Sequence, residues 1–151
     1  MNRKILMGIA AVAASFLGAC NRTCTVEEST GVTPGSPEDF ATNVTHTVFF
    51  EFNKSNLTDS AKKRVDAQIC WLKTYSGAKV NVAGHTDSRG TAEYNLALGQ
   101  ARANSVSKEF KAGCIDESRI TVVSYGKERL SDTGTDEMAH AKNRRAVSTV
   151  E

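Results

Sequence analysis

The chain has 151 residues, 40% hydrophobic and 24% charged, with 19 basic against 17 acidic side chains and a formal net charge of +2. That length supports one domain with its own core plus a tail. Arg3 and Lys4 supply the excess, so beyond residue 19 the chain carries 17 charges of each sign, and such a balance gives bulk nucleic-acid binding no electrostatic support.

In chain order, Arg3 and Lys4 precede a short apolar stretch, residues 5–17. Its length fits an export signal over 1–19 and falls short of the ~20 residues of a membrane span. The run Leu17-Gly18-Ala19-Cys20 resembles a bacterial lipobox, which implies cleavage before Cys20, diacylglycerol transfer to its thiol and acylation of the new amino terminus. Two or more acyl chains, at ~0.8 kcal/mol per buried CH₂, give stable anchoring. Asn21 follows where an aspartate would look like an inner-membrane retention signal, so the expected location is the outer membrane, with the domain facing the periplasm. Residues 20–45 then read as the lipidated cysteine and a flexible tether, rich in Thr, Ser, Gly and Pro and without an apolar period. A coil of that length spans on the order of 25–30 Å r.m.s., and roughly 85 Å when fully stretched.

Residues 46–151 alternate in type and form the expected domain. Residues 46–53 (HTVFFEFN) are β-branched and aromatic and predict a strand, with two of Phe49, Phe50 and Phe52 packed under helices. Residues 58–75 have helical spacing, with Thr58 or Asp59 as cap and an apolar stripe of Ala61, Val65, Ile69 and Leu72; Trp71 is expected to cover the core as well. Residues 79–85 alternate as a second strand, and 92–110 form a longer helix with the stripe Leu96, Gly99, Ala103, Val106 and Phe110. Residues 119–125 predict a third strand, 136–141 a short helix and 145–150 a last strand. The order βαβαβ(α)β predicts an α/β two-layer sandwich, a mixed sheet with helices packed on one face. The run Lys62-Lys63-Arg64 reads as a solvated helix face.

Lipidation of Cys20 leaves Cys24, Cys70 and Cys114, and a periplasm permits one disulfide among them. Cys70–Cys114 is the pair within the domain, although Cys70 falls opposite the apolar stripe of its helix. Cys24 can pair with either, or with another molecule. No CxxC or neighbouring histidine supports a metal site.

Residues 82–106 carry the chemistry. Asp87 follows the second strand in an acidic glycine turn, and Arg102 lies on the next helix, with Asn95 two turns earlier on the same flank. The spacing predicts Arg102 at the rim, its stem packed and its head free. A carboxylate and a guanidinium so placed can hold an ammonium and a carboxylate on one carbon, the arrangement at the distal end of meso-diaminopimelate; the guanidinium grips a carboxylate through two parallel bonds that a lysine cannot reproduce. Two plainer readings stand beside it. Asp87 and Arg102 pair only with each other, or Asp87 merely shapes the Ser88-Arg89-Gly90 turn.

Residues 48–57 (VFFEFNKSNL), 82–106 (VAGHTDSRGTAEYNLALGQARANSV), 123–130 (VSYGKERL) and 141–147 (AKNRRAV) resemble, in order, the OmpA-like peptidoglycan-binding domain. With the lipobox and tether, the whole chain is similar to the peptidoglycan-associated lipoprotein family. The resemblance implies a domain that binds uncrosslinked peptide stems through diaminopimelate, with the family's aspartate on Asp87, its arginine on Arg102 and a pocket wall on Leu98. Asn53 falls where many members have aspartate, and contacts there through main-chain amides survive that change. Asn143-Arg144-Arg145 is expected to brace the site or the sheet rather than contact ligand, and Arg89 reads by default as a solvated turn residue, with lining of the mouth as the other reading. The family's periplasmic propeller partner in the Tol system is a further implied partner.

The function expected is therefore a non-catalytic tether of outer membrane to cell wall within a Tol-Pal system, with no cofactor. An amidase or lytic hydrolase needs a nucleophile with a base, a metal or paired catalytic carboxylates, and Glu93 near Asp87 is the nearest substitute. A wall-binding subunit of a stator or porin needs a transmembrane helix or a barrel in addition.

Overall fold

The computed structural model describes Cys24 and residues 31–151. The expected signal segment, Cys20 and most of the expected tether lie outside the described residues. In order, the elements are α1 (Pro37–Asn43), β1 (Thr47–Phe49), α2 (Asp59–Thr74), β2 (Val80–His85), α3 (Ala92–Ala112), a 3₁₀ turn (Glu117–Arg119), β3 (Ile120–Gly126), α4 (Glu137–Asn143) and β4 (Arg145–Val150). Among the described residues no helix is long and apolar enough to cross a membrane.

The strands form one mixed sheet in the order β1-β4-β2-β3. β4 pairs antiparallel with both β1 and β2, and β2 pairs parallel with β3. The parallel pair needs a crossover, and α3 supplies it. One sheet face, with Val48, Val80, Val82, Ala146 and Val150, meets Val65, Ile69, Trp71 and Leu72 of α2 and Ala103, Val106 and Phe110 of α3 to form the core. The two-layer α/β sandwich read from the sequence is the fold observed.

Local chemistry fixes each helix start. Thr58 Oγ1 accepts from Ala61 N, Thr91 Oγ1 from Tyr94 N, and an Asp136 carboxylate oxygen from Ala139 N. Each satisfies an orphan amide of a first turn. The α3 crossover is unusually close to the sheet. A Cβ on Gly84 would stand 1.8 Å from Gly99 O, and one on Gly99 2.4 Å from Ser124 Oγ. Backbone meets backbone there, and Ser124 Oγ donates to Leu96 O at 2.7 Å to hold the seam.

Four expectations need correction. Pro37–Asn43 is not tether: Phe40 and Asp39 of α1 are buried, Phe40 packs edge-on against Trp71 at 4.9 Å, and Trp71 Nε1 donates to Asp39 Oδ2 at 2.8 Å. Cys70 bonds to Cys24 rather than to Cys114, because it faces away from the core, toward the incoming chain. Leu96 is 53% exposed, since the backbone of that turn, not its side chain, meets the end of β3 at Gly126. β1 stops at Phe49, so the alternation lapses: Phe50 alone is buried, and Phe49 and Phe52 remain exposed.

Candidate ligand-binding site

β2 ends in a register shift between Gly84 and His85, a bulge that redirects the chain. Thr86 N still bonds Gly126 O at 2.9 Å, and Asp87 then begins a tight turn. Asp87 Oδ1 accepts from Arg89 N at 3.2 Å, and Gly90 closes the turn at φ +87°, a conformation open to glycine. Asn95, buried on α3, reaches back with Nδ2 to Arg89 O at 2.7 Å and Thr91 O at 2.9 Å. The aspartate is therefore held by the helix that follows it.

A cavity of about 130 Å³ opens at this point, lined by Phe52, Asn53, Thr86, Asp87, Arg89, Gly90, Tyr94, Asn95, Leu98 and Arg102. All five residues expected at a binding site, Asn53, Asp87, Asn95, Leu98 and Arg102, line it together. Asn53 sits at φ 56° and accepts a hydrogen bond from Tyr94 Oη across the mouth. Tyr94 and Phe52 form an exposed aromatic rim.

Arg102 differs from expectation. Its head is not free: the residue is 0% exposed, and the guanidinium donates to three main-chain carbonyls, Lys54 O at 2.9 Å, His85 O at 2.9 Å and Glu51 O at 3.2 Å. The cause is the loop 50–57, which folds over the α3 flank and brings two of those carbonyls to it. A guanidinium has five N–H groups, so one on each terminal nitrogen is left. Burial holds the Arg102 pKa down to about 10, with the Asp87 charge opposing the fall. Among the described residues no carboxylate is bonded to this buried cation.

Asp87 and Arg102 do not form the ion pair of the plainer reading. Asp87 shapes the turn, as the second plain reading has it, and its Oδ2 accepts from Arg89 Nη2 at 2.6 Å and lies 3.6 Å from Arg144 Nη1. Burial pushes the Asp87 pKa up, but the Arg89 hydrogen bonds and charge outweigh it and hold the carboxyl below its ordinary value. Arg144 also reaches Glu137 Oε1 at 2.8 Å and donates from Nε to Phe50 O at 3.1 Å. Asn143 Oδ1 accepts from Ser131 N and Asp132 N and so holds the loop ahead of α4, while Arg144 is the member of the run that stands beside Asp87. Sequence reasoning did not find Arg89 as the direct partner of Asp87, nor Glu137. The Asp-x-Arg spacing ahead of Gly90 was the available signal for the first.

A model of the OmpA family matches residues 49–144, which run from the end of β1 to the bracing arginine and include every lining residue. The chain belongs to the OmpA family. Among its relatives, a peptidoglycan-associated lipoprotein of Legionella pneumophila is 44% identical over 117 residues, 76% of this chain and 65% of that protein. One of Haemophilus influenzae is 44% identical over 102 residues, 68% of this chain and 67% of that protein. The chain thus spans about two thirds of the length of the curated relatives it matches. Among solved structures, the peptidoglycan-associated lipoprotein of Burkholderia pseudomallei superposes with a TM-score of 0.70 at 34% identity, covering 78% of this chain and 96% of that one. The pocket lies at the C-terminal end of β2, where the sheet hands over to α3.

Proposed function

We propose that this chain is an envelope lipoprotein that binds peptidoglycan non-covalently and without catalysis, tethering a membrane to the cell wall. The observation that carries this reading is the pairing, in one pocket, of a carboxylate held ionised at Asp87 with a buried cation, Arg102, bonded only to neutral carbonyls. A buried charge without a counter-ion favours a ligand that brings one. The distal end of meso-diaminopimelate carries both signs on one carbon: its ammonium goes to Asp87, and its carboxylate to the two remaining N–H groups of Arg102. Leu98 packs against the aliphatic chain, and Phe52, Asn53 and Tyr94 form the mouth. The names of the relatives, peptidoglycan-associated lipoproteins, support the same reading.

Cys20 carries the acyl chains in this proposal, residues 1–19 are the signal, and the outer membrane is the anchored one. A Tol-type periplasmic propeller protein is the proposed protein partner. Each wall contact is weak, because solvent screens an ion pair at an open pocket. Many anchored copies facing a repeating polymer gain by effective concentration.

The test is a titration of residues 20–151, with Cys20→Ser, by a diaminopimelate stem tripeptide followed by NMR, with the lysine stem as control. Saturable shifts at Asp87, Leu98 and Arg102 with the first peptide alone support the proposal. Equal response to both peptides sinks the zwitterion reading.

A further inference from the structure

One oxygen of Asp87 already holds a cation of the chain itself. Asp87 Oδ2 accepts from Arg89 Nη2 at 2.6 Å, and the same Nη2 lies 3.7 Å from Glu137 Oε2 on α4. Glu137 and Asp87 also share Arg144, at 2.8 and 3.6 Å. Two of these four charges are fixed and two are not: the Asp87 and Arg144 side chains are 7% and 8% exposed, those of Arg89 and Glu137 41% and 66%. The Arg89 guanidinium lies over the Phe52 ring, 4.3 Å from its centre, at the mouth of the cavity.

From this geometry we infer that Arg89 is an internal competitor: its guanidinium occupies the ammonium position of the empty pocket and passes to Glu137 when a ligand cation arrives. This rests on the reading of the pocket given above. Asp87 Oδ2 already faces Arg89 Nη2 at 2.6 Å and Arg144 Nη1 at 3.6 Å, so a third cation on that oxygen meets two like charges at close range. Arg89 is the one able to leave. It is solvated, so its bond to Asp87 is screened, and a second carboxylate stands within reach of the same nitrogen. The Phe52 ring supports the guanidinium over either carboxylate by its negative face. A ligand bearing a carboxylate but no cation leaves Arg89 seated and meets no competition, so Arg89 narrows the margin by which the pocket prefers zwitterions to simple acids. Arg89 is in this sense a specificity-determining residue rather than a grip on the ligand.

The experiment is calorimetric titration of residues 20–151 (Cys20→Ser) and its variants with the diaminopimelate tripeptide and with the same peptide acetylated on its distal amine. Binding of the unmodified peptide by the parent chain is measured first; its absence would remove the pocket reading, and the competitor with it. Given that binding, Arg89→Gln tightens the unmodified peptide by roughly 2- to 5-fold, the range set by an exposed ion pair, and does not tighten the acetylated one. Glu137→Gln weakens the unmodified peptide more in the parent background than in the Arg89→Gln background, where only its contact with Arg144 is left to lose. Weaker binding by Arg89→Gln would make Arg89 a ligand contact and overturn the inference. So would an effect of Glu137→Gln that is equal in both backgrounds.

Discussion

Arg102 has two duties, and a substitution there reports on both. Its three carbonyl bonds close the loop 50–57 against α3, and the same guanidinium floors the cavity. Arg102→Lys keeps the charge but cannot reproduce the fork, and leaves buried carbonyls unpaired. The expected cost is about 3 kcal/mol in urea unfolding, so binding by this variant has to be read at a temperature where it is still folded. Asp87→Asn separates the two roles better. It keeps an acceptor for Arg89 N and removes the charge, so the unfolding midpoint falls only by that charge's contribution while tripeptide affinity falls at least about tenfold, the loss of one charge-assisted contact. With the Asp87 pKa lowered, its stabilising contribution is full above the unfolded value, ~3.9, and is lost as pH falls through the folded one; binding disappears over the same acid window, by calorimetry against pH. His85 titrates elsewhere. Burial, helped by the Arg145 charge, lowers it to about 4. The fold therefore loses stability as pH falls from ~6.5 toward that value, by on the order of 3 kcal/mol, and a histidine ring titration by NMR together with urea melts at several pH values checks both numbers.

At the scale of elements, the contact between Gly84 and Gly99 sets the height of α3 above the sheet and so the depth at which Asn95, Leu98 and Arg102 stand relative to Asp87. Gly84→Ala puts a methyl 1.8 Å from Gly99 O, and backbone cannot yield as a side chain does. The expected loss is about 3 kcal/mol or more, with tripeptide affinity falling in whatever fraction remains folded, measured by urea unfolding and NMR. This also explains what was legible beforehand. α2 and most of α3 announce themselves because their contacts repeat every three or four residues, and β2 and β4 because theirs alternate. α1 does not: seven residues cannot show a period, and its docking depends on Asp39 meeting Trp71, 32 positions away. The aspartate of the site was legible from its place after a strand and before a glycine turn. The burial of Arg102 was not, since its acceptors at 51, 54 and 85 come together only in the fold. Leu96 misled because a helical stripe was extended one turn past the last place where the sheet can cover it.

Over the whole molecule, the Cys24–Cys70 bond is a covalent constraint that ties the chain ahead of α1 to α2. It closes a loop with a sequence separation of 46, and the chain-entropy account gives such a loop about 4 kcal/mol of stabilisation through the unfolded state. Cys24→Ser combined with Cys70→Ser is expected to lower the urea midpoint accordingly while leaving tripeptide affinity unchanged, because Cys70 lies on α2, outside the cavity lining.

The same bond decides how the domain bears a pull. Tension arriving along the chain from its beginning reaches Cys24 and divides there, and the sulfur–sulfur bridge delivers it straight into the middle of the folded body at Cys70. That path bypasses α1. A load carried from an acylated Cys20 to a stem held by Asp87 and Arg102 would then pass through α2, the core and α3, and would not peel α1 from Trp71. Removing the bridge would reroute that load through α1, the smallest and most easily detached piece of the fold.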